Sequence, residues 1–281
     1  MTVREEVELF GGPEHLLGCR HLPAGPATAG VVVCSSAPFA GPVDHGRTAR
    51  LARRLARAGV AVQRFHHRGV APSDGDVAGV GFDELVDDAR RALDLLRDRT
   101  GVDRAAFVGV RIGALVAARL ARAHDGAPVA LWQPATDPGD VLEQAASVRR
   151  RRRTLDAPTS WPAATSGDTA PAGAADLFDS RLATDLLERA NVGDLVAELG
   201  PGPRPLLVVQ TGPGDGLDPH LEQVVARCRA RGLAVGTAVH PCDGERDGVP
   251  VPVAPTDALV AGTAGWLAGR LGAVPAAEGD R

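Results

Sequence analysis

One strand-to-helix turn constrains the fold of this chain more than any other segment. It reads FVGVRIGAL over residues 107–115, with an arginine at position 111 between two glycines. An apolar run precedes the turn and an amphipathic stretch follows it, which predicts a buried strand leading directly into a helix. Glycine lacks a Cβ atom, so Gly109 and Gly113 would let the backbone pass close to its neighbours. The segment therefore predicts one strand–helix unit of an α/β architecture.

The rest of the chain alternates strand-like and helix-like segments, which predicts a mostly parallel sheet covered by helices on both faces. The run AGVVVC at 29–34 is continuously apolar, as is typical of a strand buried on both faces. Residues 3–10 and 16–21 predict an antiparallel hairpin before it. Further strands are predicted at 60–65, 105–108, 129–132, 205–210 and 233–240, and helices at 47–58, 82–99, 112–123, 177–199, 219–231 and 257–271.

The alternation is interrupted once, and this interruption defines the predicted domain organisation. Residues 1–134 and 203–272 form a single core domain of the 281-residue chain, and residues 135–202 are a lid inserted over the strand ends. Within the lid, a segment rich in Pro, Ala, Gly, Ser and Thr at 156–174 predicts a mobile loop. The tail at 273–281 is expected to fray.

Composition argues against several classes of partner. The net charge of −4 and the pI of about 6.1 suggest neither nucleic acid nor an anionic membrane. Tyrosine is absent and aromatic residues make up 3% of the chain, too few for stacking on single-stranded nucleic acid. No apolar run approaches the length of a membrane span, and the N-terminal residues are charged. The four cysteines predict reduced thiols in a cytoplasmic protein, and a homodimer is left open.

Neither a metal nor an organic cofactor is predicted. His66 and His67 are adjacent but lack a third ligand at metal spacing. The sequence GPG at 212–214 is not followed by Gly-Lys-Ser or Gly-Lys-Thr, so it does not fit a phosphate-binding loop. The five consecutive arginines at 149–153 would point all round a helix, which indicates a solvated lid surface rather than an anion site.

The residue between the glycines decides what chemistry the turn can support. In serine α/β hydrolases this turn reads G-x-S-x-G and presents the serine oxygen to the substrate. Arg111 cannot be such a nucleophile, because its guanidinium stays protonated and only donates hydrogen bonds. It would also stand near a helix N-terminus, where the macrodipole disfavours a cation. We therefore expect Arg111 to face a carboxylate, either a side chain of the protein or a group of a bound ligand.

Two further residues stand where a catalytic acid and base are expected. Asp215 follows the strand at 205–210 and is the candidate acid, with Asp218 as the second candidate. The alternative for this loop is a polar turn in which Asp218 caps the next helix. His240 closes the last strand and is the candidate base. The alternative is a strand-end histidine with no catalytic part.

Several segments, in the same order, resemble one named group, the exosortase A system-associated hydrolases of the second type, within the α/β-hydrolase superfamily. The similar segments are APFA at 37–40, HRGVAPSDGD at 67–76, GVRIGA at 109–114, LWQP at 131–134 and the last helix at 258–267. That family also carries arginine at the serine position of its turn. The resemblance implies the α/β-hydrolase fold with an inserted lid. The chain departs from the family pattern at 41–42, 71–73 and 241–242, so its pathway is not carried over.

These observations place the predicted pocket at the carboxyl ends of the parallel strands, where open α/β sheets bind their ligands. The residues expected to carry chemistry are Arg111, Asp215 and His240. The residues expected to contact a ligand are Pro38, Phe39, Val110 and Gln133.

Three functions remain open at this point. The first is the binding, or non-covalent transformation, of a small acidic or acylated molecule by a protein that lacks the serine nucleophile. The second is an ester, thioester or amide hydrolase that uses an activated water or a nucleophile relocated to Cys34, Ser35 or Ser36. The third is a non-catalytic accessory protein whose pocket serves as a docking surface.

Overall fold

The computed structural model describes residues 3–36, 41–144, 181–212, 214–241 and 255–273. The strands are β1 (Arg4–Phe10), β2 (Leu16–Leu22), β3 (Ala29–Cys34), β4 (Val60–Phe65), β5 (Ala105–Val110), β6 (Val129–Trp132), β7 (Pro205–Gly212) and β8 (Ala234–Pro241). They form an eight-stranded sheet with the order β1-β2-β4-β3-β5-β6-β7-β8. The predicted central sheet is therefore confirmed.

Helices cover both faces of this sheet, as predicted. They are α1 (Pro42–Arg57), α2 (Phe82–Thr100), α3 (Gly113–Arg122), α4 (Arg181–Arg189), α5 (Val192–Leu199), α6 (Pro219–Ala230) and α7 (Pro255–Leu271), with a short 3-10 turn at Val77–Gly79. One buried cluster joins the sheet to α1 and α7, through residues such as Leu51 and Leu267. A second cluster on the opposite face joins it to α2, α3, α5 and α6, through residues such as Leu85, Leu115 and Val224.

The connections between the strands place a topological switch point between β3 and β5. β1 pairs antiparallel with β2 and β2 with β4, whereas all pairings from β4 across to β8 are parallel. The chain runs from β3 to β4 and then crosses to β5, which lies on the other side of β3. The connections therefore diverge between β3 and β5. A switch point of this kind opens a crevice at the carboxyl ends of the two strands.

Most predicted boundaries lie within about two residues of the observed ones, and the start of α1 is an exception. The strands predicted at 29–34, 60–65 and 129–132 have the observed bounds. Helix α1 begins at Pro42 rather than at residue 47. Proline suits the first turn of a helix, because its fixed φ is helical and its missing N–H would have no acceptor there. The earlier start matters, since it places additional residues of α1 beside the crevice.

The predicted lid at 135–202 lies largely outside the described residues. Its described C-terminal part is two helices, not the single helix predicted at 177–199. Between α4 and α5, the side chain of Asn191 accepts a hydrogen bond from the Asp194 N–H at 2.8 Å and so caps α5. Helix α5 packs against α3 and α6, with Leu195 fully buried. This segment therefore lies in the helical layer on the sheet, and the lid itself stays a prediction.

Candidate functional site

The sharp turn predicted from the two glycines is present between β5 and α3. At its apex Arg111 has a φ of +52°, a left-handed value that is uncommon for a residue with a side chain. The Arg111 N–H donates to the Trp132 carbonyl oxygen at 2.8 Å. The Arg111 carbonyl oxygen accepts from the N–H groups of Ala114 at 3.1 Å and Ala135 at 3.2 Å. These bonds hold the strained backbone in place, so that the turn presents Arg111 at the crevice.

Both glycines are required by close backbone contacts. A Cβ atom on Gly109 would lie 2.5 Å from the Cα atom of Ala114. A Cβ atom on Gly113 would collide with the carbonyl oxygens of Cys34 and Ser35. Because non-bonded carbon atoms prefer separations of about 3.5–4.0 Å, either side chain would push α3 away from the sheet. The glycine pattern thus reflects how closely α3 is seated against β3 and β5.

Asp44 is the carboxylate that Arg111 faces. The Nε atom of Arg111 lies 3.7 Å from the Oδ2 atom of Asp44, and the two side chains are 40% and 16% exposed. This is longer than a charge-assisted hydrogen bond, which typically spans about 2.7–2.9 Å. Asp44 lies in the first turn of α1, where the helix dipole stabilises an acid. The sequence interpretation missed Asp44 because it started the helix later, although Pro42 followed by an acid signals the true start.

The structure does not join Asp215, His240 and Arg111 into a hydrogen-bonded triad. Asp215 is exposed in the loop after β7 and makes no hydrogen bond or ion pair with a described residue. His240 is half-buried in β8 opposite Thr211, and burial lowers the pKa of its imidazole. Within the described part of the chain, no hydrogen bond or ion pair links either residue to Arg111. Their catalytic roles stay predictions.

The loop after β7 is shaped by Gln210 rather than by a capping side chain. Asp218 occupies the N-cap position of α6, but its carboxylate caps no N–H there. Instead the Asp218 N–H donates to Gln210 Oε1 at 2.6 Å, and Gln210 Nε2 donates to the Gly216 carbonyl oxygen at 3.1 Å. Gln210 is buried at the end of its strand, so the sheet dictates the course of this loop. The side-chain cap considered for Asp218 is not observed.

The residues predicted to contact a ligand differ in their surroundings. Pro38 and Phe39 lie outside the described residues. Val110 is 3% exposed and packs in the cluster beneath α1 and α7, because alternate side chains of β5 face that layer. Its side chain is a core group, which corrects the prediction. Gln133 follows β6 with a φ of +45°; its Oε1 accepts from the Thr211 N–H at 2.8 Å, and its Nε2 bonds to no described residue.

The three candidates for a relocated nucleophile are not equally accessible. Cys34 is fully buried, and this burial raises the pKa of its thiol to about 12, so it stays protonated at neutral pH. Ser36 is also fully buried, and its hydroxyl donates to Gln144 Oε1 at 2.5 Å. Ser35 is half-buried and follows β3 directly. Of the three, Ser35 alone keeps a side chain that a ligand could reach.

One group of potential metal ligands lies in the N-terminal hairpin, but its geometry does not suit an ion. Glu5, Cys19 and His21 offer donor atoms that lie within 4.8 Å of one another. His21 faces Glu5 with Nδ1 at 3.3 Å and Cys19 with Nε2 at 3.5 Å, and one ion cannot bind both ring nitrogens. The Glu5 carboxylate is already held by Arg53, whose Nε lies 2.5 Å from Oε1. The group is better explained as an ion-pair network.

The adjacent histidines His66 and His67 have separate partners. The imidazole of His66 stacks on that of His45, with ring centroids 5.3 Å apart. His67 is fully buried, and its Nδ1 lies 3.4 Å from Oδ2 of Asp88. The two rings therefore do not converge on a shared ligand.

Known proteins of similar sequence or structure share this architecture. The family model described as serine aminopeptidase, S33, matches residues 39–166. A putative hydrolase from Agrobacterium vitis S4 is 17% identical, with a TM-score of 0.56 over 95% of this chain and 100% of its own. A serine hydrolase homologue from Coxiella burnetii is 20% identical, with a TM-score of 0.53 over 86% of this chain and 89% of its own. An esterase from Pyrococcus furiosus is 14% identical, with a TM-score of 0.60 over 96% of this chain and 91% of its own.

These likenesses bear on the fold more than on the activity. No curated protein matches the sequence. Within the described residues, no helix combines the length and the apolar character that crossing a membrane requires. The mostly parallel sheet, the glycine-flanked turn after β5 and the similar structures together show that the chain has the α/β-hydrolase fold.

Proposed function

We propose that the protein binds, or transforms without a covalent intermediate, a small acidic or acylated molecule in the crevice between β3 and β5. One observation carries this proposal. The apex of the turn, where serine hydrolases of this fold hold their nucleophile, is occupied by Arg111. A guanidinium cannot attack a carbonyl carbon, but its planar set of donors suits a carboxylate or another anionic group.

Arg111 is available to such a ligand because its pairing with Asp44 is incomplete. Its side chain is 40% exposed and makes one contact of 3.7 Å, so donor groups remain that no described residue uses. Exposed ion pairs contribute about 0–1 kcal/mol, and a ligand anion could therefore replace Asp44 with little loss. The start of α3 follows Arg111 directly, and although the N–H groups of Ala114 and Leu115 are bonded to Arg111 and Ile112, the helix dipole still favours a negative group there.

Hydrolysis of an ester, thioester or amide is the second candidate function. It is favoured by the match to the serine aminopeptidase model and by the esterases among the similar structures. It would require Ser35 as the nucleophile, or a water activated by Asp215 or His240. A third candidate, a non-catalytic accessory role, predicts neither a bound small molecule nor turnover.

The resemblance to the exosortase A system-associated hydrolases of the second type supports the first candidate. That family also carries arginine in its turn, as this chain does at 109–114. We propose it as the group to which the chain is related. An inherited arginine would mean that the loss of the serine is a stable feature of the group and not damage to a single protein.

A ligand screen with matched variants tests the proposal. Small carboxylates and acylated amino acids are titrated into the protein, into Arg111→Gln and into Arg122→Gln, an exposed arginine at the far end of α3. We expect ligands whose affinity falls about tenfold or more in Arg111→Gln, because hydrogen bonds to charged groups contribute about 1.5–3 kcal/mol. Arg122→Gln should bind as the parent does. Equal binding by all three proteins would overturn the proposal, as would labelling of Ser35 by a fluorophosphonate.

A further inference from the structure

We infer that a pocket beside the start of α1 binds the carboxylate of a small organic acid through Arg64. The pocket has a volume of about 100 Å³. Its floor is one row of side chains across four strands, since Val7 pairs with Cys19, Cys19 with Arg64 and Arg64 with Val33. All four residues line the pocket. The inference does not depend on the proposed function, because Arg111 does not line this pocket.

Arg64 is a sheltered cation without an acidic partner. Its Nη2 donates to the His45 carbonyl oxygen at 3.3 Å, and within the described chain no carboxylate lies within ion-pair distance of its guanidinium. Burial lowers the pKa of the Arg64 guanidinium, and the carboxylate of Glu5, which acts on it from a distance, is already paired with Arg53. A half-buried charge of this kind is costly unless an opposite charge accompanies it. A ligand anion would supply that charge.

Two other sheltered arginines show how this chain normally neutralises such a group. Arg20 is bonded to the carboxylates of Glu6 and Glu8 at 2.5 and 2.6 Å. Arg68 is held by three acids. Among the described residues, Arg204 also has no carboxylate within ion-pair distance, but it does not line this pocket. Arg64 therefore differs from Arg20 and Arg68 in having no carboxylate partner among the described residues, and it lines an open pocket.

The remaining polar groups of the pocket can donate hydrogen bonds without adding charge. The His45 and His66 rings stack at 5.3 Å with an interplanar angle of 17°. Burial, together with the nearby His45 and Arg64, lowers the pKa of His66 to about 4, so the ring is neutral at pH 7. Burial also raises the pKa of the Cys19 thiol, and Ser35 adds a hydroxyl. One positive charge with neutral donors fits a monoanion better than a phosphate dianion.

The rim of the pocket favours an acid with a short apolar tail. Val7 is 65% exposed although it is apolar, and Leu17 lies beside it on the neighbouring strand. A volume of about 100 Å³ corresponds to roughly three times the share of one water in the liquid, so it holds the carboxylate end of propionate or butyrate and leaves the alkyl end at the exposed rim. The carboxylate would contact Arg64, and the alkyl group would cover Val7 and Leu17.

A titration of the folded protein with sodium butyrate tests this inference. Chemical shifts of the His66 ring and of the Cys19 and Thr48 amides are followed by NMR, against sodium chloride at equal ionic strength. We expect saturable shifts with a Kd on the order of 1 mM, the range open to so small a ligand. Arg64→Gln should weaken binding about tenfold or more. Arg50→Gln is the control and should bind normally, since Arg50 is an exposed arginine of helix α1 that contacts Asp257 and does not line the pocket.

Several outcomes would overturn the inference. Equal chemical-shift changes with sodium chloride and sodium butyrate would exclude a specific carboxylate site. Butyrate binding that is unchanged in Arg64→Gln would exclude Arg64 as the partner. Binding lost in Arg111→Gln but not in Arg64→Gln would move the acid to the crevice between β3 and β5. Phosphate bound as tightly as butyrate would exclude the monoanion assignment. If Arg64→Gln does not fold, Cys19→Met keeps the guanidinium but fills the pocket, and it should abolish the saturable shifts.

Discussion

The two ends of α3 hold arginines in opposite circumstances. Arg119, near its C-terminal end, donates to both carboxylate oxygens of Glu198, with Nη2 at 2.6 Å from Oε1, and lies 3.5 Å from Asp83. Arg111, just before its first turn, has a single 3.7 Å contact with Asp44. The helix dipole favours a cation near the C-terminal end, where Arg119 lies, and disfavours one at the N-terminal end, where Arg111 lies. Arg119 therefore stabilises the fold, whereas Arg111 stands where stability alone would not place it.

The largest expected effect comes from filling the space at the N-terminal end of α3. Gly113→Ala would drive a methyl group into the carbonyl oxygens of Cys34 and Ser35. Overpacking costs about 1–3 kcal/mol, and backbone atoms cannot move aside as a flexible side chain can. We therefore expect the free energy of unfolding in urea to fall by about 3 kcal/mol. Gly262 is an exposed helical position where an added Cβ atom would meet no neighbouring atom within 4 Å. Gly262→Ala should therefore leave the free energy of unfolding unchanged or raise it. Equal unfolding free energies for the two variants would contradict the close seating of α3.

The second effect separates the two ion pairs. Glu198→Gln removes the carboxylate from a pair that is largely buried on the Glu198 side, and it should lower the free energy of unfolding by about 2 kcal/mol. Asp44→Asn removes a long contact to a partly exposed arginine, and it should cost less than about 1 kcal/mol. Urea denaturation of both variants measures the difference. If Asp44→Asn were as destabilising as Glu198→Gln, Arg111 would be a structural residue like Arg119.

A smaller effect is expected on ligand binding. If Asp44 competes with a ligand anion for Arg111, Asp44→Asn should raise the affinity for an acidic ligand by up to about fivefold, the equivalent of an exposed ion pair. Calorimetric titration with a ligand from the screen measures this change. Asp83→Asn, which removes an exposed acid near Arg119 at the other end of α3, is the matched control and should leave the affinity unchanged. A lower affinity in Asp44→Asn would show that Asp44 helps to bind the ligand instead of competing with it.

The same contrast explains how far the sequence could predict this site. The apolar run at 29–34 and the glycines around Arg111 depend on neighbours along the chain, so they predicted the strand and the turn correctly. Asp44 lies 67 positions before Arg111, and nothing in the local pattern connects the two side chains. Val110 was expected to contact a ligand, but the alternation of strand β5 directs its side chain into the core. Contacts between distant segments require the packed structure.

The smallest effect is expected from placing a serine at position 111, and this variant tests the role proposed for Arg111. Arg111→Ser would place a hydroxyl at the apex of the turn, but a serine nucleophile needs a base that is itself oriented by an acid. No hydrogen bond joins Asp215 to His240 in the described structure, and Asp215 is exposed. We therefore expect Arg111→Ser to hydrolyse p-nitrophenyl acetate no faster than Arg111→Ala and to resist labelling by a fluorophosphonate. Turnover clearly above that of Arg111→Ala would show that His240 reaches the turn, and a single substitution would then separate this chain from a working serine hydrolase. The absence of such turnover is the outcome that the proposed non-covalent role of Arg111 requires, because the acid and the base would then be missing as well as the nucleophile.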